Sequence, residues 1–223
     1  MNSLWIHADH VLRARYQNDI GDSALRWPQL LVIVGVCGGG YGAMMGMFGA
    51  VGGAPSWQMI FAAMKVPLLL LGTFAVSIPS FFVMNTLAGV RRDFGEVWRA
   101  LLMTQAGVAI CLASLGPITL LWYCSSANYA VAVGFNGGMF LIASICAQSI
   151  MRGQYRRLIS RNKRHWKLMY VWWITYAVVA IQMAWLLRPL LGNPHAAVRF
   201  FRADAFQQNA YEAVIRIIRA TLW

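Results

Sequence analysis

Acidic residues are scarce in this chain: 7 Asp and Glu stand against 19 Lys and Arg in 223 residues, and charged residues together make up only 12%. A soluble domain needs a surface roughly one quarter to one third charged to stay dispersed, so a soluble enzyme is excluded. Cysteine is sparse too; 4 in a chain of this length cannot staple a disulfide scaffold, and their scattered positions lack the paired short spacing of a metal site. Glycine has no three-residue period, which excludes a collagen-like rod, and 13% aromatic residues exclude disorder. What the chain does have is apolar residues, 59% of the total, with a mean hydropathy of +0.55. The class is all-α: a polytopic helical membrane protein.

Charge-free stretches mark the crossings, because an ionised side chain at the centre of a spanning helix costs about 2.5 to 3.5 kcal/mol on insertion scales. No charged residue occurs between Arg26 and Lys65, between Lys65 and Arg91, from Ala100 to Met151, or from Leu168 to Leu187. The third of these stretches is long enough for two spans and a turn, since one span needs about 20 apolar residues. Five transmembrane helices are therefore expected, at 29–51, 58–84, 101–123, 128–150 and 168–187. Pro67 and Pro79 lie inside the second, where each removes a backbone donor and predicts a kink or break.

Lysine and arginine in short loops set orientation. The loop 91–99 carries Arg91, Arg92 and Arg99; the loop 152–167 carries Arg152, Arg156, Arg157, Arg161, Lys163, Arg164 and Lys167; the loops 52–57 and 123–128 carry no charge. Both basic loops are expected in the cytoplasm, with the N-terminus inside and the C-terminus outside, in a bacterial inner membrane. Residues 1–28 lack a signal peptide's apolar core and cleavage site and read as a retained cytoplasmic segment with a short amphipathic helix on Leu4, Ala8, Val11 and Leu12. Residues 29–187 are the bundle. Residues 188–223 form an extracytoplasmic connector and an amphipathic helix, with Phe206, Ala210, Ala213, Val214, Ile217 and Ile218 on one face. Its weak point is the tail's own arginines, which a sixth crossing or a re-entrant segment would bring inside.

Chemistry-bearing residues are few within the spans. No Asp or Glu lies in any of them, which argues against a proton or cation relay. His7, His10, His165 and His195 all fall outside, so no axial haem ligand is in view. Ser125 and Ser126 follow Cys124 with neither His nor carboxylate nearby, so no catalytic constellation emerges. Neither a metal nor a cofactor is expected, although bound lipid is.

Glycine crowds the first helix instead. Gly35, Gly38, Gly39, Gly42, Gly46, Gly49 and Gly53 fall into four-residue spacings, and Gly134 with Gly138 repeats the pattern in the fourth helix. Such spacing lets helix backbones approach closely. Packing within the monomer is the first reading, and a subunit interface the second. Lys65, the one ionisable residue inside a span, either reaches its ammonium to the membrane surface or serves a ligand. Asn85 and Arg188 join it as candidates for ligand or lipid contact. Arg156, Arg157, Arg161, Lys163 and Arg164, interleaved with aromatic and aliphatic residues, are expected to attract anionic lipid at about 1 kcal/mol each. Nucleic acid would need a larger folded basic surface.

Three strings, Lys65-Val-Pro-Leu-Leu-Leu-Leu, Pro79-Ser-Phe-Phe-Val-Met-Asn85 and Trp185-Leu-Leu-Arg-Pro-Leu-Leu-Gly-Asn-Pro194, resemble segments of a group of bacterial multipass membrane proteins without an assigned activity. The resemblance implies a multipass fold and nothing about chemistry. Arg188-Pro189 reads as the end of the fifth helix, because proline cannot extend the hydrogen-bond ladder. The expected function is a non-catalytic membrane subunit, or an assembly or anchoring factor, of a larger complex that includes other membrane subunits or further copies of this chain. An oligomeric channel or transporter, for an anion or small solute, is the alternative. An enzyme acting on lipid is third, and would need a cavity lined by Lys65, Asn85, Arg188 and a carboxylate.

Overall fold

A computed structural model describes residues 8, 9, 11, 27–51, 57–126, 128–188, 190, 191 and 200. Among them lie five long helices: α1 (Trp27–Val51), α2 (Trp57–Leu87), α3 (Phe94–Ser125), α4 (Tyr129–Arg161) and α5 (Arg164–Leu186), with a short 3₁₀ turn at Arg91–Asp93. All five are long and apolar enough to cross a membrane, and no strand occurs among the described residues. The C-terminal amphipathic helix, most of the N-terminal one, Gly53 and most of the first uncharged loop lie outside the described residues.

The helices outrun the expected spans at one end. At 31, 32 and 33 residues, α2, α3 and α4 are about 46 to 50 Å long, against about 30 Å of bilayer hydrocarbon. The basic loop expected at 152–167 is mostly helix: α4 continues to Arg161, and Asn162 and Lys163 alone separate it from α5. Asn162 leaves the helical conformation at φ −149° and its Oδ1 accepts the Arg164 N–H at 3.0 Å, so it caps α5 as it ends α4. The α2–α3 turn is built differently. Val90 N–H donates to Asn85 O at 3.1 Å and Gly89 N–H to Thr86 O at 3.0 Å, the paired bonds of a Schellman ending, with Gly89 at φ +72° and Val90 buried beneath.

Helix α1 packs against both α2 and α3; α4 packs chiefly on α3 and α5 chiefly on α2, and α4 and α5 also meet each other. Glycine makes the α1–α2 seam possible. A Cβ on Gly42 would overlap the Ala62 carbonyl, one on Gly46 would stand 2.6 Å from Met59 Cα, and one on Gly38 would touch Pro67. Pro67 has no N–H for the carbonyl of Ala63, four residues before it. That oxygen lies 3.4 Å from the position of a Gly39 Cβ, so the carbonyl that loses its helical donor faces the glycine seam. Of the expected kink or break at the prolines, the break does not occur: α2 runs as one helix through Pro67 and Pro79.

Buried polar side chains tie the remaining helices. Asn136 on α4 accepts from Tyr41 Oη of α1 at 2.9 Å and donates to Tyr123 Oη of α3 at 2.7 Å and to its own Ala132 carbonyl at 2.9 Å. Both of its amide hydrogens are thereby used, and the Ala132 carbonyl, which can only accept, fixes which end is nitrogen. Tyr176 of α5 donates to Gln105 of α3 at 2.7 Å. Aromatic edges fill the space between α2 and α5, where Phe74 and Phe81 both meet Trp172.

Candidate functional site

At the basic end, the starts of α1 and α3 and the end of α4 enclose a hollow of about 780 Å³. Trp27, Pro28 and Leu30 come from α1; Gly95, Glu96, Trp98, Arg99, Ala100 and Leu102 from α3; Gln154, Arg157, Leu158 and Arg161 from α4. The volume is in the range of small-molecule sites, about 300 to 1,000 Å³. Its wall is graded. Leu30, Ala100, Leu102 and Leu158 are buried and apolar, whereas Glu96, Arg99, Arg157 and Arg161 are exposed. Arg161 donates to Glu96 at 2.7 Å, the one carboxylate among these lining residues.

Three polar links beside the hollow join the α2–α3 turn to the α4–α5 turn. They are Arg161 to Glu96, Arg164 Nη1 to the Ala88 carbonyl at 2.8 Å, and His165 Nε2 with Asp93 Oδ2 at 2.9 Å. The third is the most enclosed: His165 is wholly buried, its ring edge-on to Tyr155 at 6.5 Å between centroids. Because Asp93 takes one ring nitrogen, Nδ1 of His165 faces the interior, and among the described residues neither it nor the Tyr155 hydroxyl has a hydrogen-bond partner. Sequence reasoning passed over this cluster, since His165 and Asp93 sit in different loops and each looks solvated by itself. The available signal was that both loops are basic and therefore share one side of the bundle.

Sequence-derived candidates scatter over the molecule. Lys65 is fully buried, with Nζ 5.2 Å from the centre of the Phe200 ring, so its ammonium does not reach the surface. Phe200 also meets Phe61 edge-on, and Gln58 Nε2 donates to the Leu190 carbonyl at 3.3 Å, so Leu190 and Phe200 both touch the first turns of α2. Asn85 donates to the Phe81 carbonyl at 2.8 Å. It stands 20 residues, about 30 Å, along α2 from Lys65. Arg188 stacks on Trp185, 3.3 Å from its ring centre. Since α5 runs antiparallel to α2, Arg188 belongs to the end opposite Asn85, so Lys65, Asn85 and Arg188 do not share one cavity.

The glycines divide. Gly38, Gly39, Gly42 and Gly46 face α2 and Gly49 is buried, while a Cβ on Gly35, Gly134 or Gly138 would meet nothing within 4 Å. The expected packing role within the monomer is corrected for those three: they turn away from every described neighbour. Of the expected lipid-facing cations, Arg156, Arg157, Arg161, Lys163 and Arg164 are all exposed, but Arg161 and Arg164 are engaged with protein partners. Among the described residues no three His, Cys, Asp or Glu gather as a metal site. No protein-family model matches the chain, and searches of curated proteins and of solved structures find nothing similar.

Proposed function

We propose that this five-helix membrane protein is a non-catalytic subunit, or an assembly and anchoring factor, of a larger membrane complex. The observation that carries the reading is the outward face of α4. Gly134, Gly137 and Gly138 leave open space where side chains would stand, flanked by exposed Val131, Val133, Leu141 and Ile142. In a membrane, apolar residues gain little from leaving lipid for protein, so a glycine-lined groove stabilises association through close backbone packing. The bundle uses its other glycine seam in that way between α1 and α2. The two outer helices also have the most surface to offer: 22% of the apolar stretch of α4 and 17% of that of α5 are buried, against 44%, 39% and 39% for α1, α2 and α3.

The basic turns support an orientation with the α2–α3 and α4–α5 turns in the cytoplasm of a bacterial cell and the C-terminus outside. In that frame the three polar links hold the cytoplasmic ends together, and α4 and α5 present their faces to a partner helix in the bilayer. The test is a mild-detergent pull-down of the chromosomally tagged protein, followed by native mass determination, for the wild type and for Gly134→Leu with Gly138→Leu. Stoichiometric foreign chains in the first sample and their loss in the second are expected. Migration of the wild type without any foreign chain overturns the reading. Should it then run as a homo-oligomer, liposome flux altered by Lys65→Ala becomes the test of an oligomeric channel.

A further inference from the structure

We infer that the hollow at the basic end is a specific site for the headgroup of an anionic phospholipid. Its depth argues for lipid. Arg99 is the last charged residue before the uncharged stretch that runs from Ala100 to Met151, so it stands at the border of the hydrocarbon. Arg157 and Arg161 lie on α4 five and nine residues beyond Arg152, the first charge after that stretch, about 8 and 14 Å further out. The hollow therefore begins where acyl chains end and opens at headgroup level.

The chemistry of the wall follows the same gradient. Leu30 and Leu102 give the inner part an apolar floor suited to the glycerol and first methylenes. Trp27 and Trp98, 65% and 38% exposed, are placed where indole rings anchor at a membrane interface. Arg99 and Arg157 come from different helices, α3 and α4, and border one cavity. Arginine is the side chain whose planar fork matches phosphate oxygens in pairs. Glu96 occupies Arg161 at 2.7 Å, so the described lining residues set three guanidinium groups against one carboxylate. The site thus differs from a diffuse attraction of the whole basic surface: Arg92 and Lys167 are as exposed as Arg157, on the same end, and do not border the hollow. It also does not depend on a partner subunit.

The experiment is native mass spectrometry of the full-length protein in non-ionic detergent, counting retained phosphatidylglycerol against phosphatidylcholine. Wild-type protein is expected to keep phosphatidylglycerol selectively. Arg99→Gln with Arg157→Gln should lower that retention about thirtyfold, if each arginine contributes as a basic residue at an anionic surface does. Arg92→Gln with Lys167→Gln should leave it unchanged. Glu96→Gln, which releases Arg161 to the hollow, should raise it about fivefold, and this gain is read even if the double arginine variant fails to fold. Equal losses in the two double variants, equal retention of phosphatidylcholine, or no gain from Glu96→Gln overturns the proposal. Displacement of phosphatidylglycerol by inorganic phosphate overturns the lipid as ligand in favour of a free anion.

Discussion

Replacing Gly42 by alanine is the sharpest test of the α1–α2 seam. The added methyl would overlap the Ala62 carbonyl oxygen and come within 2.9 Å of Ala63 Cα. Both obstacles are backbone atoms of α2, so no side-chain rotation relieves them. The helices must part by on the order of 1 Å, and a gap of that size forfeits a quarter to a half of each dispersion contact along the seam. Overpacking of this kind costs about 1 to 3 kcal/mol. Alanine also favours the helix over glycine by about 1 kcal/mol, which acts in the opposite direction. Gly35→Ala isolates that second effect, because Gly35 lies in the same helix and a Cβ there meets nothing within 4 Å. The helix gain is common to both variants and cancels, so the difference between them should be the overpacking cost, about 1 to 3 kcal/mol, with Gly42→Ala the less stable. Reversible unfolding in mixed micelles, titrated with sodium dodecyl sulfate and followed by tryptophan fluorescence, measures it. If the two variants unfold at the same midpoint with the same slope, the close backbone approach at Gly42 is refuted.

Other perturbations probe other joints. Asn136→Leu strands the Tyr41 and Tyr123 hydroxyls in apolar surroundings and should cost about 1 to 2 kcal/mol in the same assay; a double-mutant cycle with Tyr41→Phe should show coupling, and strict additivity would break the network. Gly89→Ala forces a side chain into the left-handed region at φ +72° and brings it 3.2 Å from Arg164 Nη1, costing about 1 to 2 kcal/mol or more. Gly95→Ala, with open space around it, is the matched control and should be neutral or slightly stabilising. Cys124 is exposed in the last turn of α3, at the end opposite the basic turns. A membrane-impermeant maleimide should modify it in intact cells; labelling only after lysis would invert the orientation drawn from the basic turns.

The burial of Lys65 shows how neighbours revise a local reading. From composition alone, its long stem offered a route for the ammonium to the membrane surface. In the folded chain Lys65 is fully buried, and Phe200 places its ring over the charge. Phe200 is separated from Lys65 by most of the chain, so no local pattern announces the contact. The same holds for His165. Its position in a basic stretch, between Arg164 and Trp166, reads as solvated, yet the turn at Asn162 is short enough to drive it into the α2–α3 turn, where Asp93 meets it.

Legible in the chain alone were the number of crossings, their order and the close-packing capacity of the first helix. Those properties follow from transfer energies and backbone geometry, which act residue by residue: uncharged stretches long enough to span, charges gathered in alternate turns, glycines at four-residue spacing. Helix ends were less legible, because the stretches that continue α3 to Phe94 and α4 to Arg161 are polar, and charge density does not distinguish a helix rising out of the bilayer from a loop. Tertiary structure alone decided which glycines meet a neighbour and which face outward, since Gly42 and Gly134 obey the same spacing and differ in the helix opposite them. It alone brought Arg99 and Arg157 to one hollow and joined Asp93 to His165. Each of these is a relation between distant segments, fixed by which helix packs beside which, and that choice is made by the summed shape and hydrogen bonding of whole helix faces.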